Sequence, residues 1–203
     1  RIATPGDVML DLLATSEPRL RASDAPDAYG VGRGGYVVAT LHRPVNVDDR
    51  PRLRALLAGL GDTRETVLLP CHPRTRAALD RCGAAVPAPV RLLEPLPHSA
   101  LLALVAHARV VVTDSGGLQK EAAFLGTPCL TVRDETEWPE TVDAGWNRLV
   151  AGPTSRLAAT LVDALRTVGR PRAAFDRVPF GDGRAAEAVV RELEEWAARR
   201  CEM

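Results

Sequence analysis

Residues 110–124 of this chain read VVVTDSGGLQKEAAF, a short apolar run that passes through two glycines into a segment rich in leucine and alanine. The β-branched run Val110–Thr113 predicts a strand that is buried on both faces. Gly116 and Gly117 allow the tight backbone turn that a helix directly after a strand requires. A strand followed at once by a helix is the repeating unit of a parallel α/β sheet, which is therefore the predicted fold.

The same alternation extends along the chain on both sides of that unit. Four more apolar runs predict strands, and the segments between the runs carry leucine or alanine at three- and four-residue spacing, which is typical of helices. This order predicts a doubly wound parallel sheet, a Rossmann-like α/β domain, over residues 34–170. The predicted strands are Tyr36–Leu41, Thr66–Leu69, Val90–Leu93, Val110–Thr113 and Cys129–Val132, and the predicted helices are Asp49–Leu60, Arg74–Arg81, His98–His107 and Leu118–Leu125.

The two ends of the chain differ in composition from this central domain. Residues 1–33 predict a hinge helix near Asp7–Ala14 and then a polar, glycine-rich linker. Residues 171–203 predict a turn at Phe180–Gly183 and a last helix with Asp182 as its N-cap. The residues of that helix that are expected to pack are Val189, Val190, Leu193 and Trp196.

Composition excludes several classes of function. Of 203 residues, 26 are Lys or Arg and 26 are Asp or Glu, so the formal net charge is zero. Without a broad positive field, nucleic acid is not an expected partner. No apolar run approaches the roughly 20 residues that cross a bilayer, and no signal peptide is recognisable, so no membrane association is expected.

The four cysteines indicate a reducing compartment. Cys71, Cys82, Cys129 and Cys201 are far apart in the sequence and form no C-x-x-C pair. This spacing is typical of buried or incidental thiols, not of a zinc site or a disulfide framework. We therefore expect a cytoplasmic protein with no metal and no cofactor.

Two histidines fall just after predicted strands, each close to an arginine. His42 precedes Arg43 behind the first strand, and His72 lies two residues before Arg74 behind the second. Ligands of open α/β sheets bind beyond the carboxyl ends of the strands, so both histidines are candidates for an anion site. The alternative, that both are loop residues that cap helices, is equally compatible with the sequence.

The serine and glycines after the fourth strand predict a phosphate site. Ser115 offers a hydroxyl donor, and Gly116 and Gly117 expose N–H groups at a helix N-terminus, where the helix dipole also favours an anion. Glu121 lies about one turn further along, where a carboxylate can accept hydrogen bonds from a ribose diol. A purely structural strand-to-helix turn uses the same residue types, so this alternative stays open.

The fifth strand leads into a polar loop with one aromatic residue. Residues 133–141 are ionisable or carry a hydroxyl, apart from Trp138 and Pro139, which is typical of a solvated loop with ion pairs. Trp138 does not fit that interpretation, because an indole in a polar loop usually packs on something. Elsewhere, His98 and His107 lie within one predicted helix and are expected at the surface.

With these segments assembled, the sequence resembles the non-hydrolysing UDP-N-acetylglucosamine 2-epimerase family, whose fold is similar to the two-domain GT-B fold of glycosyltransferases. The resemblance implies that this chain is the C-terminal, Rossmann-like half of such a fold. The motifs that carry it, in family order, are Thr40–Arg43, His72–Thr75, Glu94–Leu96, Thr113–Ala122, Gly126–Pro128, Arg133, Thr136–Val142, Gly145–Asn147 and Phe180–Gly183.

The resemblance implies a reaction and a role for each candidate residue. The family reversibly inverts C2 of a UDP-linked 2-acetamido sugar to the manno form, by elimination of UDP and its re-addition. By analogy, His42 is the catalytic residue that assists the departure of UDP, and Glu121 holds the ribose. Arg43 and His72 match positions that bind a second, regulatory UDP-sugar in some bacterial members. The remaining residues expected to bind substrate are Ser115, Gly116 and Gly117 at the phosphates, together with Arg133 and Glu137.

Members of the family are roughly twice as long as this chain, and their N-terminal domain supplies the catalytic carboxylates. Ile2–Val8 resembles the hinge that follows that domain, so this chain is expected to be the UDP-binding half and to be inactive alone. The expected partners are UDP, a UDP-N-acetyl sugar and the N-terminal domain in cis or in trans, toward which residues 171–203 would pack. A homodimer is expected for the complete protein, with a role in cell-surface polysaccharide biosynthesis.

Some positions depart from the family pattern and leave the substrate open. Val45 stands where an acidic residue is usual, Leu96 and Leu101 stand where some members have glutamine and phenylalanine near the uracil, and Trp138 stands where others have arginine. Members with Glu-Trp at this point include enzymes that act on UDP-2,3-diacetamido uronic acid sugars. Such an epimerase, a hydrolysing epimerase, a GT-B glycosyltransferase and a non-catalytic nucleotide-sugar-binding domain are the alternatives.

Overall fold

A computed structural model describes residues 2–201, and the side chains of residues 2–200. The chain divides into two compact units. The larger unit is Leu20–Phe175, and the smaller one combines the two chain ends, up to Arg19 and from Asp176 onward.

The larger unit is built on a six-stranded, all-parallel sheet with the strand order β3-β2-β1-β4-β5-β6. This order confirms the predicted doubly wound α/β class, since β1 and β4 are neighbours and the chain winds outward from them in both directions. The strands are β1 (Tyr36–Thr40), β2 (Thr66–Pro70), β3 (Val90–Leu93), β4 (Val110–Thr113), β5 (Cys129–Thr131) and β6 (Asn147–Leu149).

Helices connect the strands, as parallel pairing requires. Those in the larger unit are α2 (Pro44–Val47), α3 (Arg50–Gly61), α4 (Pro73–Cys82), α5 (His98–His107), α6 (Gly116–Phe124), α7 (Pro139–Asp143) and α8 (Thr154–Thr167), and a 3-10 turn covers Asp27–Tyr29. Prediction from sequence found α3 to α6 to within two residues, and it missed α2, α7, α8 and β6.

The core of the larger unit lies between the sheet and α3, α4 and α8. Alternate residues of the central strands, such as Val37 and Val110, are fully buried there with leucines of the three helices. The residues between them, such as Val38 and Val111, are equally buried and point to the opposite face of the sheet. Burial on both faces explains why these strands read as continuous apolar runs.

The smaller unit contains the first and last helices, α1 (Val8–Arg21, which ends in the larger unit) and α9 (Ala185–Cys201), with a 3-10 turn at Val178–Phe180. α1 extends to Arg21, well beyond the predicted helix near Asp7–Ala14, so the linker before β1 is shorter than predicted. The Asp11 carboxylate accepts hydrogen bonds from the N–H groups of Ala185 and Ala186, at 3.0 and 2.7 Å. Asp182 instead accepts from Arg184 N at 3.1 Å. The predicted N-cap was therefore wrong, because a carboxylate distant in sequence occupies that place.

The apolar residues of α9 that were expected to pack are exposed in the described chain. Trp196 and Leu193 are 52% and 60% exposed, and Val190 is similarly open. The described residues leave this apolar face largely exposed, so the expected packing stays a prediction.

Three cysteines bear out the expected buried thiols. Cys71, Cys82 and Cys129 are free and buried, and burial raises the pKa of the Cys129 thiol to about 12. Within residues 2–201 no helix is long and apolar enough to span a membrane, and no group of three metal-ligating side chains is found there.

Candidate functional site

A cleft of about 390 Å³ opens at the carboxyl ends of β1, β2 and β4. It lies at the point where the strand order reverses, which is where ligands bind in open α/β sheets. Four predicted site residues, His42, His72, Ser115 and Glu121, line this cleft. The others that line it are Thr40, Leu41, Pro70, Pro95, Leu96, His98, Leu101 and Leu118.

His42 is held in the cleft by Asp114, a fully buried carboxylate behind β4. Nδ1 of His42 lies 3.1 Å from Asp114 Oδ1. The same carboxylate accepts hydrogen bonds from the backbone N–H groups of His42 and Arg43, at 3.1 and 3.0 Å, and from Nδ2 of Asn46 at 3.0 Å. One acidic side chain therefore fixes both the loop after β1 and the imidazole ring.

The pKa values of this pair shift in opposite directions. The hydrogen bond to Asp114 raises the pKa of His42, although partial burial and the charge of Arg43 oppose the shift. Burial by itself would raise the pKa of Asp114, but hydrogen bonds from His42, Asn46 and the Arg43 backbone together lower it. The geometry thus favours a protonated imidazole beside an ionised carboxylate.

Asn46 extends this arrangement into the fold. Its Nδ2 also donates to the carbonyl oxygen of Val132 at 3.0 Å, and its Oδ1 accepts from Nε of Arg52 at 2.8 Å. Asn46 is fully buried, so each of these bonds replaces water that the side chain has lost. Neither Asp114 nor Asn46 was predicted as a site residue, although Asp114 lies inside the motif Thr113–Ala122.

Ser115 begins α6 at the floor of the cleft. Its Oγ accepts a hydrogen bond from Leu118 N at 3.4 Å, which makes it the N-cap of the helix. The hydroxyl keeps its own hydrogen as a donor. The N–H groups of Gly116 and Gly117 are the first two of α6 and have no carbonyl one turn earlier in the helix. Helix capping and anion binding are therefore compatible at this turn.

A cluster of charged side chains lies at the same helix end. Glu137 accepts hydrogen bonds from Arg133 at 2.6 and 2.9 Å, and its Oε1 lies 3.6 Å from Nη2 of Arg43. A methyl group in place of the Gly116 hydrogen would lie 3.3 Å from Oε2 of Glu137. The hydrogen bond from Arg133 lowers the pKa of Glu137 to about 2, so this carboxylate is charged at neutral pH.

Trp138 packs on α6, which explains the aromatic residue in a polar loop. Its Nε1 donates to the carbonyl oxygen of Gly116 at 2.8 Å, and Nζ of Lys120 lies 3.9 Å from the ring centroid. Oε1 of Gln119 accepts from Thr136 Oγ1 at 2.6 Å. These contacts hold the loop of residues 133–138 against the helix end that carries the glycines.

Glu121 is a buried carboxylate bound to a histidine. Its Oε1 lies 2.7 Å from Nε2 of His98, and its side chain is 5% exposed whereas that of His98 is 49% exposed. The prediction placed His98 at the surface without a role, but it lines the cleft beside Glu121. The nine-residue spacing of the two helical histidines gave no sign of this contact, which depends on how α5 and α6 pack.

His72 has the helix-capping role that was one of the two alternatives, and its place in an anion site stays a prediction. It is the N-cap of α4, where its Nδ1 accepts from Arg74 N at 3.2 Å. Its ring centroid is 6.1 Å from that of His42, so it also borders the cleft. His107, by contrast, is buried away from this cleft, with Nε2 3.2 Å from the carbonyl oxygen of Leu20 and within 3.0 Å of Arg33. Its predicted surface position was wrong.

Comparison with known proteins identifies the family. The family model described as UDP-N-acetylglucosamine 2-epimerase matches residues 1–194. The chain belongs to this family. It spans about half the length of the curated relatives it matches.

One such relative is the UDP-2,3-diacetamido-2,3-dideoxy-D-glucuronate 2-epimerase of Pseudomonas aeruginosa, which is 35% identical over 197 residues. That match covers 95% of this chain and 52% of the relative. The UDP-N-acetylglucosamine 2-epimerase of Methanocaldococcus jannaschii is 34% identical over 166 residues, covering 78% of this chain and 44% of the relative.

Solved structures of family members share the fold. The Methanocaldococcus jannaschii UDP-GlcNAc 2-epimerase in complex with UDP-GlcNAc and UDP has a TM-score of 0.77 and 28% identity, and the match covers 94% of this chain and 54% of that one. These likenesses confirm the predicted fold class, a Rossmann-like half of a GT-B-type fold.

Proposed function

We propose that this chain is the UDP-sugar-binding, C-terminal half of a UDP-N-acetylglucosamine 2-epimerase. The observation that carries the proposal is the cleft itself, in which His42, Ser115 at the N-terminus of α6 and Glu121 line one cavity, with Asp114 buried behind His42. Family membership and the UDP-sugar named in the structure of the Methanocaldococcus jannaschii relative support it. The reaction proposed for the complete protein is inversion at C2 through elimination and re-addition of UDP.

The diphosphate is proposed to bind at the start of α6. The donors are the hydroxyl of Ser115 and the N–H groups of Gly116 and Gly117, which have no carbonyl partner within the helix. The helix dipole adds positive potential at the same place. Protonated His42 borders the same end of the cleft. Because charge develops on the departing diphosphate, donors fixed in advance stabilise the transition state at little reorganisation cost.

His42 is the proposed catalytic residue of this half. The hydrogen bond to Asp114 raises its pKa and so favours the protonated imidazole, whose proton can be given to an oxygen of the leaving diphosphate. In the reverse step the neutral imidazole takes the proton back as UDP adds to the intermediate.

The nucleoside is proposed to bind between Glu121 and the apolar part of the cleft. The Glu121 carboxylate accepts hydrogen bonds from the ribose hydroxyls, and Leu96, Leu101 and Leu118 form an apolar surface for the uracil. His98 bonds to the same carboxylate at 2.7 Å, so it either orients Glu121 or gives way to the ribose.

Arg133, Glu137 and Arg43 are proposed to bind substrate next to the diphosphate. Glu137 joins the two arginines at the N-terminus of α6. This arrangement holds two guanidinium groups where anionic parts of the substrate arrive. Arg43 and His72 are the residues that a second, regulatory UDP-sugar would contact, if this protein is regulated as some bacterial members are.

The other half of the catalytic machinery is proposed to come from an N-terminal domain, in cis or in trans. The curated relatives are about twice as long as their match to this chain, which supports this division. The exposed apolar face of α9, with Leu193 and Trp196, is proposed to pack toward that domain. We further propose that the complete protein is a cytoplasmic homodimer that serves polysaccharide biosynthesis.

A second candidate substrate is a UDP-2,3-diacetamido uronic acid sugar. The 35% identity to the Pseudomonas aeruginosa enzyme favours it, and so does the pair Glu137-Trp138. With the full-length parent protein, turnover of each sugar tested separately decides between them. Free sugar as the product would instead indicate a hydrolysing epimerase, and an acceptor-dependent glycoside would indicate a glycosyltransferase.

Calorimetric titration of UDP into this chain tests the proposal. We expect UDP to bind more tightly than ADP, and we expect Glu121→Ala and Ser115→Ala to weaken UDP binding at least tenfold, which corresponds to about 1.4 kcal/mol. Glu194→Ala, at an exposed position of α9, is the matched control and should bind UDP like the parent chain. Equal affinities for UDP and ADP, or an unchanged Glu121→Ala variant, would reject this site.

A further inference from the structure

Asp114 is placed to control which nitrogen of His42 carries a proton. The carboxylate is fully buried and lies 3.1 Å from Nδ1 of His42. Its further hydrogen bonds come from the His42 and Arg43 backbones and from Asn46, all of which are obligatory donors. Because these donors keep the carboxylate ionised, the group that faces Nδ1 is an acceptor.

We propose that Asp114 is the positioning residue of this site, which holds His42 with a proton on Nδ1 and presents Nε2 to the cleft. An ionised carboxylate accepts only, so the favourable contact at 3.1 Å requires an Nδ1–H donor in both the charged and the neutral imidazole. The inference rests on the proposed function only where Nε2 is said to meet the diphosphate.

Hydrogen bonds from the main chain stabilise this orientation of the His42 ring. Asp114 binds the backbone N–H of His42 as well as its ring, so the loop and the side chain move together. Asn46 ties Asp114 to Val132, and Arg52 in turn binds Asn46. The carboxylate is thus fixed from β1, β4 and β5, and the imidazole has one preferred position.

The tautomer of His42 that Asp114 fixes is also the one that the proposed proton transfer requires. A cationic imidazole gives the Nε2 proton to a diphosphate oxygen and leaves a neutral ring with hydrogen on Nδ1. The reverse transfer returns the proton to Nε2, and the Nδ1 hydrogen never leaves Asp114. Without a fixed tautomer, part of the neutral population would carry hydrogen on Nε2 and could not accept the returning proton there.

Other titratable or charged groups lie around His42. Arg43 is the next residue, the His72 ring is 6.1 Å away, and Glu121 and His98 lie in the same cleft. Arg43 disfavours a second positive charge and lowers the pKa of His42, whereas the bond to Asp114 raises it more strongly. Asp114 is therefore the group whose removal should matter most.

Long-range proton–nitrogen NMR of the ¹⁵N-labelled chain tests the proposal. The chain has four histidines, so a His42→Gln sample assigns the His42 signals by difference. During a pH titration we expect neutral His42 to show a protonated Nδ1 and an unprotonated Nε2. In Asp114→Asn we expect its pKa to fall below that in the parent chain and Nε2–H to appear in the neutral form. Asp48→Asn, which removes an exposed carboxylate bound to Arg74, should change neither.

Two results overturn the proposal. One is a parent chain whose neutral His42 carries its hydrogen on Nε2, which decides the question even where Asp114→Asn fails to fold. The other is a folded Asp114→Asn variant with the tautomer and pKa of the parent chain. These signals need no bound nucleotide. A chain with the Nδ1–H tautomer that does not bind UDP would keep this inference and reject the proposed function.

Discussion

Side-chain and backbone hydrogen-bond donors together keep the buried Asp114 carboxylate ionised. Asp114 is buried yet has a lowered pKa, and two of its hydrogen bonds come from main-chain N–H groups. Such donors leave no trace in residue identity, so the sequence contains Asp114 within a motif but does not reveal its role. His98 was missed for a different reason, since its contact with Glu121 joins two helices that are separate in sequence.

The His42–Asp114 pair makes stability depend on pH in a specific direction. The pKa of His42 is raised in the fold, so its contribution is fully present below its unfolded pKa of about 6.5 and is lost as the pH rises through the folded value. The pKa of Asp114 is lowered, so its contribution is lost only as the pH falls through the folded value, in the acid range. Between these limits both groups are charged.

We therefore expect the parent chain to exceed His42→Gln in unfolding free energy most clearly below about pH 6.5, with the difference shrinking as the pH rises through the folded pKa of His42. Urea denaturation at several pH values measures it. His98→Gln, in the same cleft, is a comparison variant that leaves Asp114 and its donors in place. A His42→Gln difference that is constant with pH would show that the pair does not titrate as described.

At the scale of helices and strands, runs of apolar residues predicted the strands that are apolar throughout. β1 and β4 are buried on both faces and were found to within one residue. β6 was missed because Asn147-Arg148-Leu149 is short and mostly polar, and it is a strand only because β5 offers it a parallel partner. The location of the candidate site, at the carboxyl ends of the strands, could be predicted from the order of strands and helices. Its hydrogen bonds could not be predicted from the sequence, because they depend on how these elements pack.

The packing of α3 on α8 depends on one glycine. A methyl group on Gly59 would lie 3.0 Å from Cδ2 of Leu161 and 3.1 Å from the carbonyl oxygen of Ala158. The side chain can move, but a helix carbonyl cannot. We expect Gly59→Ala to destabilise the fold by about 1–3 kcal/mol, as overpacked cores do, despite the better helix propensity of alanine.

Urea denaturation of Gly59→Ala measures this cost. Gly32→Ala is a suitable control, because nothing lies within 4 Å of the added methyl group and its backbone does not need glycine. The control should stay within about 0.5 kcal/mol of the parent chain. If both variants unfolded alike, the close approach of α3 and α8 would not be a feature of the protein in solution.

At the scale of the whole molecule, the residues that line the cleft indicate which catalytic groups of the proposed enzyme this chain contributes. Of the residues that line it within the described part of the chain, Glu121 is the one carboxylate, and it is bound to His98. Asp114 is buried behind the ring of His42. In the proposed reaction His42 is therefore the acid for the leaving group, and Glu121, already bound to His98, is not expected to be the base for the C2 proton.

We therefore expect this chain to bind the nucleotide sugar without catalysing its epimerisation. With UDP-N-acetylglucosamine in heavy water, this chain alone should bind the nucleotide sugar but leave the hydrogen at C2 unexchanged by NMR. The full-length parent protein, as the positive control, should incorporate deuterium at C2 during epimerisation, because the proton removed there returns from solvent. Exchange catalysed by this chain alone would mean that a base is present in the described cleft, and the assignment of proton abstraction to another domain would be wrong.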